Sequence, residues 1–408
     1  MTANPQEGPI HVRGRAVVGI DIGKRKHSAT AVSPQGEVLA RLASFSNTSE
    51  GIDLLESEVL QKVGGPGKTL IAMEATGHYW ICMYWELTRR GYCCVVLNPI
   101  QTNARMGARI RKTRTDPIDS LGIARFILSG EARATRIPDE KTIELRLLVR
   151  HRWRLVQARA DMERYAQTLL DRVFPEYESV FSKPLLPSTL ALIREIGIDP
   201  RQIVSRADEV RNLLRRVSRR KISDDKIDQL LQKASHSIGT QQATTLIAQQ
   251  LHDIFQYFEL IEKQVAQIDE QLEGRILEAG SPLLSLGIGP VLAASIHAES
   301  DSIGDFSTPG QYVAYAGLDP SVHDSGDTVR GRSKISKRGS PTLRRALYQA
   351  AFIIYRKHDY FLRRYKKYRR KGRSHTEATI IVADRLARVV WRLLTDNRPF
   401  KKRPPKKS

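Results

Sequence analysis

Cysteine is scarce in this 408-residue chain, with only Cys82, Cys93 and Cys94 present. Two are adjacent and none has the spacing of zinc ligands, so neither a disulfide framework nor a zinc site is supported, and a reducing compartment is expected. Long apolar runs are missing too. No stretch reaches the roughly 18 residues that mark a membrane span, and Met1 to Arg15 lacks the apolar core of a signal peptide. The expectation is a bacterial cytoplasmic, nucleoid-associated protein with no membrane contact. Negative charge is in deficit, with 44 Asp plus Glu against 66 Lys plus Arg, for a net +22. That excess favours a polyanion, through phosphate contacts and counterion release. Nucleic acid stands ahead of a ribosomal or membrane-surface role because the basic residues cluster. Hydrophobic residues make up 41%, enough for a real core and against wholesale disorder.

Residues 16–135 read as alternating strands and helices after a flexible terminus, 1–15. Strands are expected at Ala16 to Ile22, Ser28 to Val32, Glu37 to Ser44, Thr69 to Met73 and Tyr92 to Leu97, with helices over Ser49 to Val63 and Tyr79 to Arg90. This order predicts an α/β domain with a mixed sheet. Residues 140–280 switch to helical periodicity. Leu148, Leu155, Met162 and Leu169 recur every seven residues, and Ile254, Phe258, Ile261, Val265, Ile268 and Leu272 form an a/d seam. The seam suits either two helices packed within one chain or a coiled-coil dimer. Pro184 to Ala243 is polar and basic without a clear period. A third domain is expected over 281–395, mainly helical, followed by a disordered basic tail, 396–408.

Carboxylates stand where carboxylates are costly. Asp21 lies in Gly19-Ile20-Asp21-Ile22-Gly23-Lys24, and Glu74 closes the run Leu70-Ile71-Ala72-Met73. A buried carboxylate must be paired or bind a cation. In Arg114-Thr115-Asp116-Pro117-Ile118-Asp119, Asp116 is a natural N-cap with Pro117 at the first helical position. Asp119, three residues on, shares its face. Four converging carboxylates would repel one another unless hard divalent cations relieved the charge, and magnesium or manganese suits such oxygen donors. Two ions could flank a scissile phosphate. Taken singly, Asp116 is also a plain cap, Asp119 a complement to the helix dipole, and Asp21 with Gly23 a feature of actin-like ATPases, although no second glycine-rich phosphate loop follows.

These motifs resemble the DEDD transposases of bacterial insertion sequences, the bridge-RNA-guided recombinases related to the pilin-gene invertase. The resemblance rests on Gly19 to Lys24, Met73-Glu74-Ala75-Thr76-Gly77 and Lys112 to Asp119. It continues through Gly287-Ile288-Gly289-Pro290, Tyr315-Ala316-Gly317-Leu318, Ser325-Gly326 and Ile335-Ser336-Lys337-Arg338-Gly339. It implies an α/β domain of ribonuclease-H or Holliday-resolvase type, a coiled-coil middle region and a carboxy-terminal transposase domain. Its DEDD carboxylates correspond to Asp21, Glu74, Asp116 and Asp119, and its nucleophilic serine to Ser325. It further implies a structured guide RNA, donor and target DNA as substrates, and a homodimer or dimer of dimers with composite sites. The chain is longer than that pattern, chiefly through residues 180–245.

Ser325 lies in the turn-forming stretch His323-Asp324-Ser325-Gly326-Asp327, which fits a plain turn residue as well as an exposed nucleophile. A serine needs a base or a metal to become nucleophilic; His323 and Asp324 are candidate bases, and Ser336 is the second choice of nucleophile. Four basic clusters stand out. Arg105, Arg109, Arg111, Lys112 and Arg114 precede the third aspartate. Arg211, Arg215, Arg216, Arg219, Arg220 and Lys221 lie in the middle region, and Arg330, Arg332, Lys334, Lys337 and Arg338 follow Ser325. The last spans Arg356 to Arg373 and includes Arg363, Arg364, Lys366, Lys367, Arg369 and Arg370, interleaved with Tyr360, Phe361, Tyr365 and Tyr368. Backbone contacts with base stacking suit that last cluster. Together with the resemblance, the residues imply a magnesium-dependent, serine-using DNA recombinase with an RNA guide; the alternatives are a Holliday-junction nuclease without a covalent intermediate and a non-enzymatic RNA-binding protein.

Overall fold

The computed structural model describes residues 10, 12–75, 77–99, 101–102, 116–181, 186–219, 221–320 and 335–401, apart from the side chains of 116–118. The chain divides into two compact units, Met1–Pro138 and Asp139–Ser408. The first holds five strands: β1 (Ala16–Ile22), β2 (Lys26–Val32), β3 (Val38–Ser46), β4 (Thr69–Glu74) and β5 (Cys93–Leu97). Their order is β3-β2-β1-β4-β5. The first three form an antiparallel meander, and β4 and β5 join parallel to β1. The mixed sheet is as expected. Helix α1 (Ser49–Leu55) is shorter than the expected Ser49 to Val63, because the chain continues as a π turn, Glu56–Leu60, and a 3-10 turn, Gln61–Val63. Helix α2 (Trp80–Arg89) packs on the same face as these turns, over Ile20, Ile71 and Met73. Helix α3 (Asp116–Leu128) covers the other face through Ile123, Ala124 and Ile127, which meet Val17, Leu70 and Ala72.

The second unit is helical among its described residues. Its two long helices, α4 (Glu140–Val173) and the later Thr244–Glu278, run antiparallel, as the cross-links Arg159–Glu262 at 3.1 Å and Lys141–Glu278 at 3.5 Å require. Between them lie α5 (Tyr177–Val180), α6 (Pro187–Glu195), α7 (Pro200–Ser205), α8 (Ala207–Val217) and α9 (Asp224–Ser235), the stretch for which the pattern predicts no fold. Thr244–Glu278 is α10. Then come α11 (Pro290–Glu299), α12 (Pro309–Tyr315), α13 (Pro341–Lys357), α14 (Asp359–Arg370) and α15 (His375–Asp396).

The a/d seam is used within the chain. Ile254 and Phe258 pack with α5–α9, while Ile268 and Leu272 join the cluster formed by α11, α13 and α15. Residue 280 therefore does not separate two cores; the long helices carry one cluster at each end. The segment expected as a disordered tail is anchored at its start. The Phe400 amide donates to Ser285 Oγ at 2.7 Å, and its ring meets His358. The rest of that tail, 402–408, lies outside the described residues, as does most of 1–15. Among the described residues no helix is long and apolar enough to cross a membrane.

Candidate active site

Asp21 sits one residue beyond the last paired position of β1 and β4, Ile20 with Met73, and Glu74 is the next residue of β4. The two carboxylates thus stand at the carboxyl ends of neighbouring parallel strands, Asp21 one residue before the end of β1 and Glu74 closing β4, and such strands lie roughly 4.8 Å apart. Alternation decides the face. Val17, Leu70 and Ala72 belong to the cluster under α3, and Val18, Ile20, Ile71 and Met73 to the opposite one. A period of two then turns both Asp21 and Glu74 toward the α3 side. Each is half-buried.

Helix α3 brings a third carboxylate to the same end. Ser120 Oγ lies 2.8 Å from Thr30 Oγ1, and Thr30 pairs with Gly19 across the sheet. At the other end of α3, Leu128 reaches Gly36 in the β2–β3 turn. The helix therefore runs antiparallel to β1, with its amino end toward Asp21, and half-buried Asp119 precedes Ser120 on that end. Gly19 makes the approach possible, since a Cβ there would lie 2.1 Å from the Ser120 carbonyl oxygen. Asp116 opens the helix, but its side chain lies outside the described residues. Three of the four expected carboxylates thus reach one end of one face. Among the described residues, no three His, Cys, Asp or Glu side chains close on each other as a metal-binding group. The donor chemistry at this end is hard carboxylate oxygen, which fits Mg2+ or Mn2+ better than a soft metal.

Ser325, Arg330, Arg332 and Lys334 lie outside the described residues, as do Arg105, Arg109, Arg111, Lys112 and Arg114. The two ends of the serine-bearing segment are described, and they meet. Pro320 and Ile335 form an antiparallel bridge. The Ser336 amide donates to the Asp319 carbonyl at 2.8 Å, and its hydroxyl donates to the Asp319 carboxylate. Gly339 packs so tightly on Tyr315 that a Cβ would lie 1.7 Å from its carbonyl oxygen. The Tyr315–Leu318 and Ile335–Gly339 motifs, 17 or more residues apart, therefore form one knot. Lys337, with φ of 55°, and Arg338 are exposed on it.

Comparison with known proteins bears on this layout. The model of the DEDD IS110 transposases matches residues 18–175, and that of the transposase IS116/IS110/IS902 family matches residues 284–367. The chain belongs to this transposase family. It is 26% identical to the insertion element IS116 uncharacterized 44.8 kDa protein of Streptomyces clavuligerus, over 96% of this chain and 97% of that protein. The insertion element IS900 uncharacterized 42 kDa protein of Mycobacterium paratuberculosis is 25% identical over 93% of this chain and 95% of its own. The pilin gene-inverting protein of Moraxella bovis is 31% identical over 25% of this chain and 33% of its own.

The charged surfaces of the transposase differ from their sequence reading. In the middle cluster, Arg211 pairs with Asp228 at 2.5 Å, Arg215 with Asp224 at 2.8 Å and Arg216 with Glu195 at 2.8 Å, so much of its charge is spent internally. On α14 no such compensation occurs. Arg363, Arg364, Lys366, Lys367, Arg369 and Arg370 make no ion pair among the described residues, and all but Arg364 are exposed. Its aromatics mostly face inward. Phe361 is fully buried and Tyr365 stacks on Tyr355 at 4.3 Å, while Tyr360, 44% exposed, has the Arg385 guanidinium over its ring at 5.4 Å. One group escaped the sequence reading altogether. Glu299 is buried and binds Arg150 through both carboxylate oxygens, at 2.9 and 3.2 Å. The only trace in the sequence is a glutamate ending the apolar helix Val291 to Ala298.

Proposed function

We propose that this transposase cuts and rejoins DNA strands through a site formed by Asp21, Glu74, Asp116 and Asp119 together with the hydroxyl of Ser325. The carrying observation is that Asp21 and Glu74 lie at the carboxyl ends of adjacent parallel strands, on the face covered by α3, whose amino end carries Asp119. The β3-β2-β1-β4-β5 order supports the ribonuclease-H type of domain that the resemblance implies. The four carboxylates would hold two divalent ions, Mg2+ or Mn2+, which supply charge stabilisation at the scissile phosphate. Ser325 Oγ forms a bond to phosphorus as the bond to the leaving 3′ oxygen breaks. The serine proton is lost and the 3′ oxygen takes one up, leaving a 5′ phosphoserine ester. Attack by another 3′ hydroxyl reverses these steps and completes the exchange without ATP.

The phosphodiester partner is DNA, donor and target. A structured guide RNA is proposed from the family resemblance, and the uncompensated cations of α14 suit either polyanion. A homodimer or dimer of dimers would bring one subunit's serine to its partner's carboxylates. Alanine at Asp21, Glu74, Asp116 or Asp119 tests the site. Each should abolish DNA cleavage while folding and nucleic-acid binding persist, a chelator should mimic them, and Mg2+ or Mn2+ should restore the wild type. Normal cleavage by the Asp21 and Glu74 variants would sink the assignment.

A further inference from the structure

Beside the serine-segment knot, one turn of α4 carries two arginines whose guanidinium groups are held by the carboxyl end of α11. Arg150 Nε and Nη2 donate to Glu299, and Arg146 Nε donates to the Ala298 carbonyl at 2.9 Å. Glu299 is 1% exposed, whereas Arg150 is 50% exposed. The carboxylate is thus sunk in the protein and the cation stands at the surface. The pairing commits one edge of each guanidinium and leaves terminal N–H groups uncommitted. Glu299 also accepts from Ser340 Oγ at 3.0 Å. Ser340 in turn donates its amide to the Tyr315 carbonyl at 2.9 Å and caps α13. The arginines are therefore keyed to the same knot that joins Asp319 to Ser336.

The surroundings are basic. Arg345 lies over the Trp153 ring at 5.9 Å. Burial, and then the charge of Arg152, hold its pKa below the ordinary guanidinium value. Arg154, one turn beyond Arg150, is exposed, and neither Arg154 nor Arg345 makes an ion pair among the described residues. Arg152 itself is paired with Asp269, so the free positive charge of this face is that of Arg154 and Arg345 beside the half-exposed Arg150, and such a face favours an anion laid across it. Planar guanidinium forks fixed on one edge are suited to gripping phosphate oxygens with the other.

We propose that Arg146 and Arg150, fixed by Ala298 and Glu299, form a clamp for the phosphodiester backbone of the DNA strand presented to the serine segment. Glu299 is a positioning residue in this arrangement. The proposal rests on the strand-exchange reading for its choice of DNA as the ligand; the grip itself stands on the arginine geometry.

The test uses the full chain and a DNA duplex carrying the sequence that flanks its gene. Single phosphates are replaced one at a time by neutral methylphosphonates. Arg146→Gln and Arg150→Gln should each weaken binding of the unmodified duplex by about tenfold and lower its salt slope by about one unit. The loss should vanish on a duplex whose contacted phosphate is already neutral. Glu299→Gln should reproduce part of the loss although no cation is removed. Arg150→Gln strands a buried carboxylate and can fail to fold, whereas Arg146→Gln disturbs only a carbonyl contact and decides the matter alone. Wild-type binding by Arg146→Gln, an equal loss at every methylphosphonate position, or coupling with an RNA duplex and not with DNA would overturn the clamp. Serine chemistry is read separately, because Ser325→Ala should bind like the wild type. Phosphate coupling without a serine adduct would fail the mechanism and keep the clamp, and an adduct without coupling would do the reverse.

Discussion

Gly19→Ala should cost the transposase both stability and activity. A Cβ at that position would lie 2.1 Å from the Ser120 carbonyl oxygen and 2.7 Å from the Ala124 amide nitrogen. Both obstacles are helix backbone and cannot rotate aside, so α3 must retreat by about an ångström or more to restore ordinary contact. Overpacking of this kind costs about 1–3 kcal/mol. Lifting α3 also loosens Ile123, Ala124 and Ile127 from Val17, Leu70 and Ala72, which places the expected loss near the top of that range. The midpoint of thermal unfolding should fall by roughly 10 °C for a loss of about 3 kcal/mol in a unit of this size. The site should suffer more. Asp119, proposed as one of the catalytic carboxylates, adjoins Ser120, and a displacement of about 1 Å in such a group can cost about 100-fold in rate. Urea unfolding followed by circular dichroism reads the first effect, and single-turnover DNA cleavage, at a temperature where the variant is folded, reads the second. Gly67→Ala is the control, since a Cβ there meets nothing within 4 Å. Wild-type stability and cleavage in Gly19→Ala would refute the placement of α3 and, with it, of Asp119.

Neutralising Arg363, Arg364, Lys366, Lys367, Arg369 and Arg370 should weaken nucleic-acid binding and flatten its salt dependence by about one unit for each phosphate no longer gripped; an unchanged slope in a salt titration would make α14 merely a solvated face. His27 is 2% exposed with neither ring nitrogen hydrogen-bonded, and burial lowers its pKa from 6.5, with Asn47 pulling the other way. The unfolded chain binds that proton first, so its contribution to stability is full above pH 6.5 and lost as pH falls toward the lowered folded value. His27→Phe should flatten that acid limb in urea titrations at stepped pH, and an identical limb would contradict the assignment. Co-expressing Asp21→Ala with Ser325→Ala should restore some covalent cleavage if sites form between subunits, because a mixed dimer holds one intact site; no adduct from verified mixed dimers would place each site within one chain.

Much of the first unit was legible because its signals are local. Apolar runs of strand length marked β1, β4 and β5, and an aspartate or glutamate near the end of such a run marked the proposed site. The face those carboxylates share also follows from period-two alternation. What was hidden depends on partners distant in sequence. A heptad seam tells which face of α10 is apolar, not that α4 of the same chain will cover it; the antiparallel pairing is fixed by contacts such as Arg159–Glu262. Basic residues look alike in sequence, so the neutralised Arg211, Arg215 and Arg216 could not be told from the uncompensated set on α14. The stretch between α4 and α10 showed no period because its helices run only 4 to 12 residues. Glu299 stayed invisible because a lone glutamate at a helix end gives no hint that Arg150 and Ser340 converge on it.

In the proposed mechanism, carboxylates on the sheet and the serine of the second unit act on one phosphodiester. Its most direct test is to incubate the transposase, with Mg2+, on a nicked DNA substrate that traps the cleaved strand, and to locate any covalent nucleotide by peptide mass spectrometry. A 5′ phosphate on Ser325 is expected in the wild type, with no adduct in Asp21→Ala or Glu74→Ala. Cleaved DNA with no protein adduct would contradict it and mark the protein as a plain junction nuclease, and an adduct that persists without Asp21 and Glu74 would remove the carboxylates from the reaction.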